Sequence, residues 1–136
     1  MLAAAMSNRR AVGRVGEDAA LKYLAERGHQ VIYRNFRFSR YGEIDIICMK
    51  SGTICFIEVK SRAGCAFGTP AESVGYIKRR NIIAVANHFL RTGDYGEFKL
   101  RFDIVEVYYD KVITGIGEPE IVVREIRHIE NAFGAN

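Results

Sequence analysis

Two apolar-rich runs, residues 42–50 (Gly-Glu-Ile-Asp-Ile-Ile-Cys-Met-Lys) and 53–60 (Thr-Ile-Cys-Phe-Ile-Glu-Val-Lys), are interrupted only by Ser51 and Gly52. A Ser-Gly pair between β-rich runs is a turn signal, so the pattern predicts a tight hairpin. A two-residue loop pairs Lys50 with Thr53, and that register carries back to Asp45 opposite Glu58. Upstream, residues Gly13 to about Arg27 show helical spacing. Ala20, Leu21 and Leu24 form an apolar stripe, Val15, Ala19 and Tyr23 flank it, and Gly28 is placed to end the helix. Glu17 precedes Ala20 and Leu21 by three and four residues, which puts it on or beside the buried face. His29 to Phe38 reads as a strand. After the hairpin, a loop with Gly64, Gly68 and Pro70 leads into a second helix over about Ala71 to Leu90. Glu97 to Tyr109 is a strand apolar on both faces, Gly115 and Gly117 mark a turn, and Glu120 to Ile126 supplies a last strand. The order is α-β-β-β-α-β-β, whose natural packing is an α/β fold with a mixed central sheet flanked by helices.

A chain of 136 residues with 49% hydrophobic content builds one domain with a proper core. Two prolines and no low-complexity run argue against disorder. Residues 1–11 read as a flexible leader with Met6 as an alternative start, and 12–136 as the single domain. The apolar part of the leader precedes its charges and is too short for a signal peptide. No apolar run approaches the ~18 residues that span a bilayer, so a cytoplasmic protein without membrane contact is expected. A net charge of +4 leans toward polyanionic partners. Cys48 faces Cys55 across the hairpin, on the side opposite the carboxylates, and Cys65 makes the count odd. The pair reads as buried thiols of a reducing cytosol, ahead of a disulfide or a soft-metal site.

The hairpin register brings chemistry with it. Lys60, two residues beyond Glu58, projects from the same face. Two carboxylates and an ammonium then meet on a surface otherwise carrying Ile47, Met49, Ile54 and Phe56. Like charges opposed in an apolar setting are destabilising, and a divalent cation between them removes the penalty. Mg2+ or Mn2+ takes hard oxygens, here Asp45, Glu58, the Val59 carbonyl and Glu17 directly or through water. Such a centre suits hydrolysis of a phosphodiester, with Lys60 orienting water or neutralising charge. Each residue has a plainer reading. Lys60 can simply pair with a carboxylate, and Glu17 can serve the dipole of an early helical turn. Glu43 faces the other way. Asp103 reads as a satisfied buried acid, and His29, His88 and His128 as surface or boundary residues. From Arg27 to Gly42 there is no acid, and aromatics interleave with arginines. Arg34, Arg37 and Arg40, with Lys60, Arg62, Lys78, Arg79 and Arg80, are candidates for a basic rim that binds a nucleic-acid backbone without reading sequence.

Glu17, Asp45 and the Glu58-Val59-Lys60 triplet resemble the PD-(D/E)xK nuclease pattern, except that Ile44 stands where proline is usual. The element order is similar to the restriction-endonuclease-like α-β-β-β-α-β core. Residues 13–18 (Gly-Arg-Val-Gly-Glu-Asp), 34–37 (Arg-Asn-Phe-Arg), 42–45, 56–62 and 101–103, together with Lys78, resemble the YraN-type bacterial family over about residues 12 to 132. That family is related by pattern to archaeal Holliday-junction resolvases. The resemblance implies a metal-dependent endonuclease on DNA rather than RNA, on branched or processed substrates, and by the resolvase analogy a homodimer. It also implies that Asp45 and Glu58 hold magnesium while the lysine assists. The competing readings are a catalytically silent nucleic-acid-binding module of the same fold and an adaptor that recruits an acidic partner.

Overall fold

The computed structural model describes residues 2–134 apart from 68–70, 72 and 116, with side chains described from residue 8 onward. Helix α1 (Leu2–Glu26) is followed by β1 (Gln30–Phe38), a single 3-10 turn, β2 (Gly42–Lys50), β3 (Thr53–Ala63), α2 (Tyr76–Leu90), β4 (Lys99–Val112) and β5 (Glu120–Phe133). The expected order holds. One five-stranded mixed sheet, ordered β1-β2-β3-β4-β5, carries the two helices. Strands β1, β2 and β3 form an antiparallel meander, β3 and β4 run parallel, and β5 returns antiparallel to β4. The parallel pair needs a crossover connection, which α2 provides.

The hairpin closes as its sequence demands. Ser51 and Gly52 both take positive φ (51° and 76°), and Lys50 pairs with Thr53. Two consecutive left-handed residues match the turn to the right-handed twist of the strands. Side-chain alternation along β2 and β3 then splits the core. Ile47, Ile54 and Phe56 pack with Ile82, Val85 and Phe89 of α2. Ile46, Cys48, Cys55 and Ile57 pack with Ala20 and Leu24 of α1.

Strand β3 runs on to Ala63 and β4 is shifted to Lys99–Val112, and three boundaries differ more widely from the pattern. Helix α1 begins at Leu2 rather than Gly13, so residues 2–11 of the expected leader are helical. Glu17 therefore lies deep inside α1, where an early-turn dipole explanation no longer applies. Helix α2 starts at Tyr76 rather than Ala71, because Gly75 holds an extended conformation (φ −65°, ψ 161°) immediately before it. Gly68 and Pro70 of the expected loop lie outside the described residues. Strand β5 continues past Ile126 to Phe133, which stacks on Phe102 of β4. Among the described residues no helix is long and apolar enough to cross a membrane.

Gly16 sets how closely α1 approaches β3. A Cβ at this position would stand 2.0 Å from Ser61 Oγ and 3.3 Å from its Cβ. The Gly16→Ala change is expected to stay near neutral, because the Ser61 hydroxyl can rotate and alanine gains up to ~1 kcal/mol of helix propensity. The larger Gly16→Leu change forces the helix off the sheet and should cost about 1–3 kcal/mol. Chemical denaturation of both variants measures the difference, and equal stabilities would refute the close contact.

Candidate functional site

The β2–β3 ladder runs from Lys50↔Thr53 to Ile46↔Ile57. At the next position the carboxylate of Asp45 takes over: its Oδ2 accepts the Val59 amide N–H at 2.8 Å. The alternation of β2 breaks here as well. Ile44 and Ile47 both belong to the α2-side core, so two residues rather than one separate them on that face. Asp45 consequently does not share the face of Ile47 and Met49, as strict alternation predicted. It opens toward α1 instead, because the strands part where the ladder stops.

The carboxylates still meet. Glu17 from α1, Asp45 from β2 and Glu58 from β3 line one open cavity of about 620 Å³, together with Val59 and Ser61. Glu58 is buried (8% exposed), and its Oε1 lies 3.8 Å from Lys60 Nζ and 3.3 Å from Lys78 Nζ. Lys60 makes the carboxylate pairing weighed for it, and Lys78 reaches the same oxygen from α2. Burial first, then the charge of Glu58, pushes the Asp45 carboxyl up to about 7. Glu17 and Glu43 add to that shift, and the Val59 hydrogen bond opposes it. A proton or a cation at Asp45 relieves this crowding, and hard oxygen donors of this kind fit Mg2+ or Mn2+.

The basic residues divide. Arg34 faces α1, with its Nε 3.4 Å from Glu17 Oε1 and a terminal nitrogen 2.7 Å from Asp18 Oδ1. It is thereby an anchor for the acidic side chain of the site, a role its place among arginines and aromatics did not suggest. Arg37 lies 3.9 Å from Glu43 on the surface. Arg40 stands over the Tyr41 ring. Arg62 approaches buried Glu106 at 4.0 Å. Arg79 and Arg80 flank Tyr76 and line a separate cavity on α2. The carboxylate cavity draws other basic groups, Arg9 and Lys111, along with Asn8 and Tyr109. Sequence reading missed these four. Arg9 and Asn8 were assigned to the leader, and Tyr109 and Lys111 reach the cavity because β4 runs parallel to β3, with Ala63 paired to Tyr109.

Other expectations resolve cleanly. Asp103 is fully buried and satisfied by Arg101 Nε (2.9 Å), His128 Nε2 (2.8 Å) and the Asn131 amide (2.8 Å). Burial alone would raise its pKa, but these partners outweigh it and hold the carboxyl below its ordinary value. Of the histidines read as surface or boundary residues, His88 and His128 are partly buried, as a boundary position is, but His29 is buried at 5% exposure. Cys48 does pair with Cys55. A hydrogen bond shared with Cys55, then burial, pushes the Cys48 thiol far up, and the same bond draws Cys55 down.

Because Asp45 titrates higher in the folded chain than in the unfolded one, the folded state binds the extra proton between about pH 4 and 7. Stability contributed by this group is therefore greatest at acid pH and falls as pH rises through that window. The full shift corresponds to about 4 kcal/mol, and partial solvent exposure reduces the expected loss to about 1–3 kcal/mol. Asp45→Asn keeps an acceptor for Val59 and removes the charge, so its stability should be flatter from pH 5 to 8 and exceed wild type at pH 8. Denaturation midpoints across that range, without divalent cations, check this. A wild-type profile parallel to that of the variant would refute the shift.

Residues 16–107 match the Uncharacterised protein family UPF0102. The chain is 42% identical over 127 residues to a UPF0102 protein of Acetivibrio thermocellus, covering 93% of this chain and 94% of that protein. It is 34% identical over 126 residues to one from Caldanaerobacter subterraneus, covering 93% and 97%. A third, from Natranaerobius thermophilus, is 36% identical over 127 residues, covering 93% and 99%. With the match spanning the second part of α1, the hairpin, α2 and much of β4, and with relatives aligned almost end to end, the chain belongs to the UPF0102, or YraN-type, family.

Proposed function

We propose that this chain is a magnesium- or manganese-dependent endonuclease acting on DNA, built on a restriction-endonuclease-like core. The observation that carries the reading is the shared cavity of Glu17, Asp45 and Glu58, with Lys60 and Lys78 both on Glu58. Arg34 pairs with Glu17, and Lys60 and Lys78 with Glu58, so the crowding that a bound cation would relieve falls on Asp45. Asp45 and Glu58, with Glu17 directly or through water, are the residues that would hold a hard cation, and Val59 would offer its carbonyl. When bound, the cation supplies Lewis-acid stabilisation of phosphate charge and a more acidic water. Lys60 orients the attacking water or balances charge in the transition state. Arg34 holds Glu17 from behind, while Arg9 and Lys111 at the cavity supply cations for the phosphate backbone. Arg37 on β1, Arg40 in the 3-10 turn, Arg62 on β3 and Lys78, Arg79 and Arg80 on α2 are further candidates for contact with the backbone. Symmetric cutting of two strands calls for two sites, hence a homodimer, which analytical ultracentrifugation with and without DNA tests.

One observation favours a second reading. Two lysines on a single Glu58 oxygen neutralise that carboxylate without any metal, as a silent nucleic-acid-binding module would require. Calorimetric titration of Mg2+ and Mn2+ into wild type and Asp45→Ala separates the two: the nuclease reading expects binding that Asp45→Ala loses.

Activity is tested on linear, single-stranded, flap and four-way-junction DNA and on RNA, with each metal. Glu58→Ala and Lys60→Ala should each lower cleavage by at least about a hundredfold. DNA binding should survive in both variants and weaken steeply with salt. Cutting that persists in Glu58→Ala, or no cutting of any substrate by a metal-loaded wild type, would sink the nuclease reading.

A further inference from the structure

A second cluster of ligating groups lies on the α1 side of the sheet. Cys48 sits about 10 Å along β2 from Asp45 and is paired with Cys55 of β3. Both thiols are fully buried and neither is in a disulfide. His29 enters from the segment after α1, where Gly28 (φ 86°) turns the chain toward β1. One imidazole nitrogen and the two sulfurs all lie within 4.8 Å of one another.

His29 is the informative member. It is 95% buried, and neither ring nitrogen has a hydrogen-bond partner. The nearby Leu24 carbonyl accepts the backbone amide of His29 at 3.0 Å but meets neither ring nitrogen in hydrogen-bonding geometry. Leaving such a group unsatisfied in a buried setting is destabilising. Among the described residues Arg79 Nε and Arg101 Nη2 are also buried without a partner, but only His29 has every polar atom of its side chain in that state. An unpartnered imidazole beside two thiols has a ligand-shaped explanation.

We propose that His29, Cys48 and Cys55 bind one thiophilic d10 cation, Zn2+ or Cu+. Zinc holds thiolate sulfur at about 2.3 Å and imidazole nitrogen at about 2.0–2.1 Å, which puts ligand atoms roughly 3.4–4.0 Å apart. Reaching that spacing from 4.8 Å needs side-chain shifts of about 1 Å at most. On Zn2+ binding the two S–H bonds break, their protons pass to solvent, and two Zn–S bonds form without change of oxidation state. Two thiolates and Zn2+ sum to zero charge, which suits the apolar setting of Ala20, Leu24, Ile46 and Ile57. Hard cations do not fit this donor set, which separates the site from the carboxylate cavity. The ion staples the end of α1 and the start of β1 to the hairpin. Since α1 carries Glu17 and the hairpin carries Asp45 and Glu58, the staple holds the parts of that cavity in register, whatever the cavity does.

The test uses full-length protein, reduced and stripped of metal under anaerobic conditions. Zn2+ is titrated against a chromophoric chelator, and Cu+ against a Cu+-specific one. The expected result is one equivalent of at least one of these ions per chain, two protons released per Zn2+, and a sulfur-to-metal charge-transfer band when Co2+ replaces Zn2+. Cys48→Ser and Cys55→Ser should weaken binding by at least a hundredfold and His29→Gln by tenfold or more, while Cys65→Ser binds as wild type does. If a serine variant fails to fold, His29→Gln, which leaves both thiols in the core, decides the matter. Failure of both ions to bind stoichiometrically, or binding unchanged in the folded site variants, overturns the proposal.

Discussion

The loss of one backbone pairing organises the molecule. Past Ile46↔Ile57 the β2–β3 ladder ends, and the Val59 N–H is held by the side chain of Asp45. A buried amide needs an acceptor, and a carboxylate that supplies one is tied to its position by the same bond. Asp45 is therefore fixed at the mouth of the hairpin, beside Glu58, where its charge is poorly tolerated. The strain is electrostatic and local. It is accepted because hairpin and core are secured elsewhere, by the two apolar layers that Ile47, Ile54 and Phe56 on one face and Ile46, Cys55 and Ile57 on the other build against α2 and α1.

Around that point the topology gathers the remaining parts. The crossover through α2 makes β4 parallel to β3, so both strands end at the same side of the sheet and Tyr109 and Lys111 arrive beside Ser61. The same crossover lays Lys78 against Glu58. On the other face Gly16 lets α1 descend onto Ser61, which brings Glu17 to the cavity, and Arg34 from β1 secures it there. Six elements thus contribute to one cavity and its first salt bridges, although most of the participating residues are remote in sequence.

Much of this was legible in the chain. The Ser51-Gly52 turn, the Lys50↔Thr53 register and the Cys48↔Cys55 pair follow from local pattern, because a two-residue loop leaves one register available. Asp45 near Glu58, Glu17 near both, and Asp103 as a satisfied acid were also within reach. The facing of Asp45 was not, since period-two alternation holds only while the ladder does. Nor was the burial of His29: a histidine after a helix-ending glycine looks like a boundary residue until α1 and the hairpin close over it.

The residue pattern by itself determined the element order, the hairpin and the identity of the acidic groups, all of which depend on neighbours within a few positions. Only the tertiary structure decided that α1 reaches back to Leu2 with Asn8 and Arg9 at the cavity, that Arg34 serves Glu17, and that His29 joins two thiols. Those outcomes depend on how helices and strands distant in the chain pack across a sheet, and local propensity carries no information about which distant surface will be met.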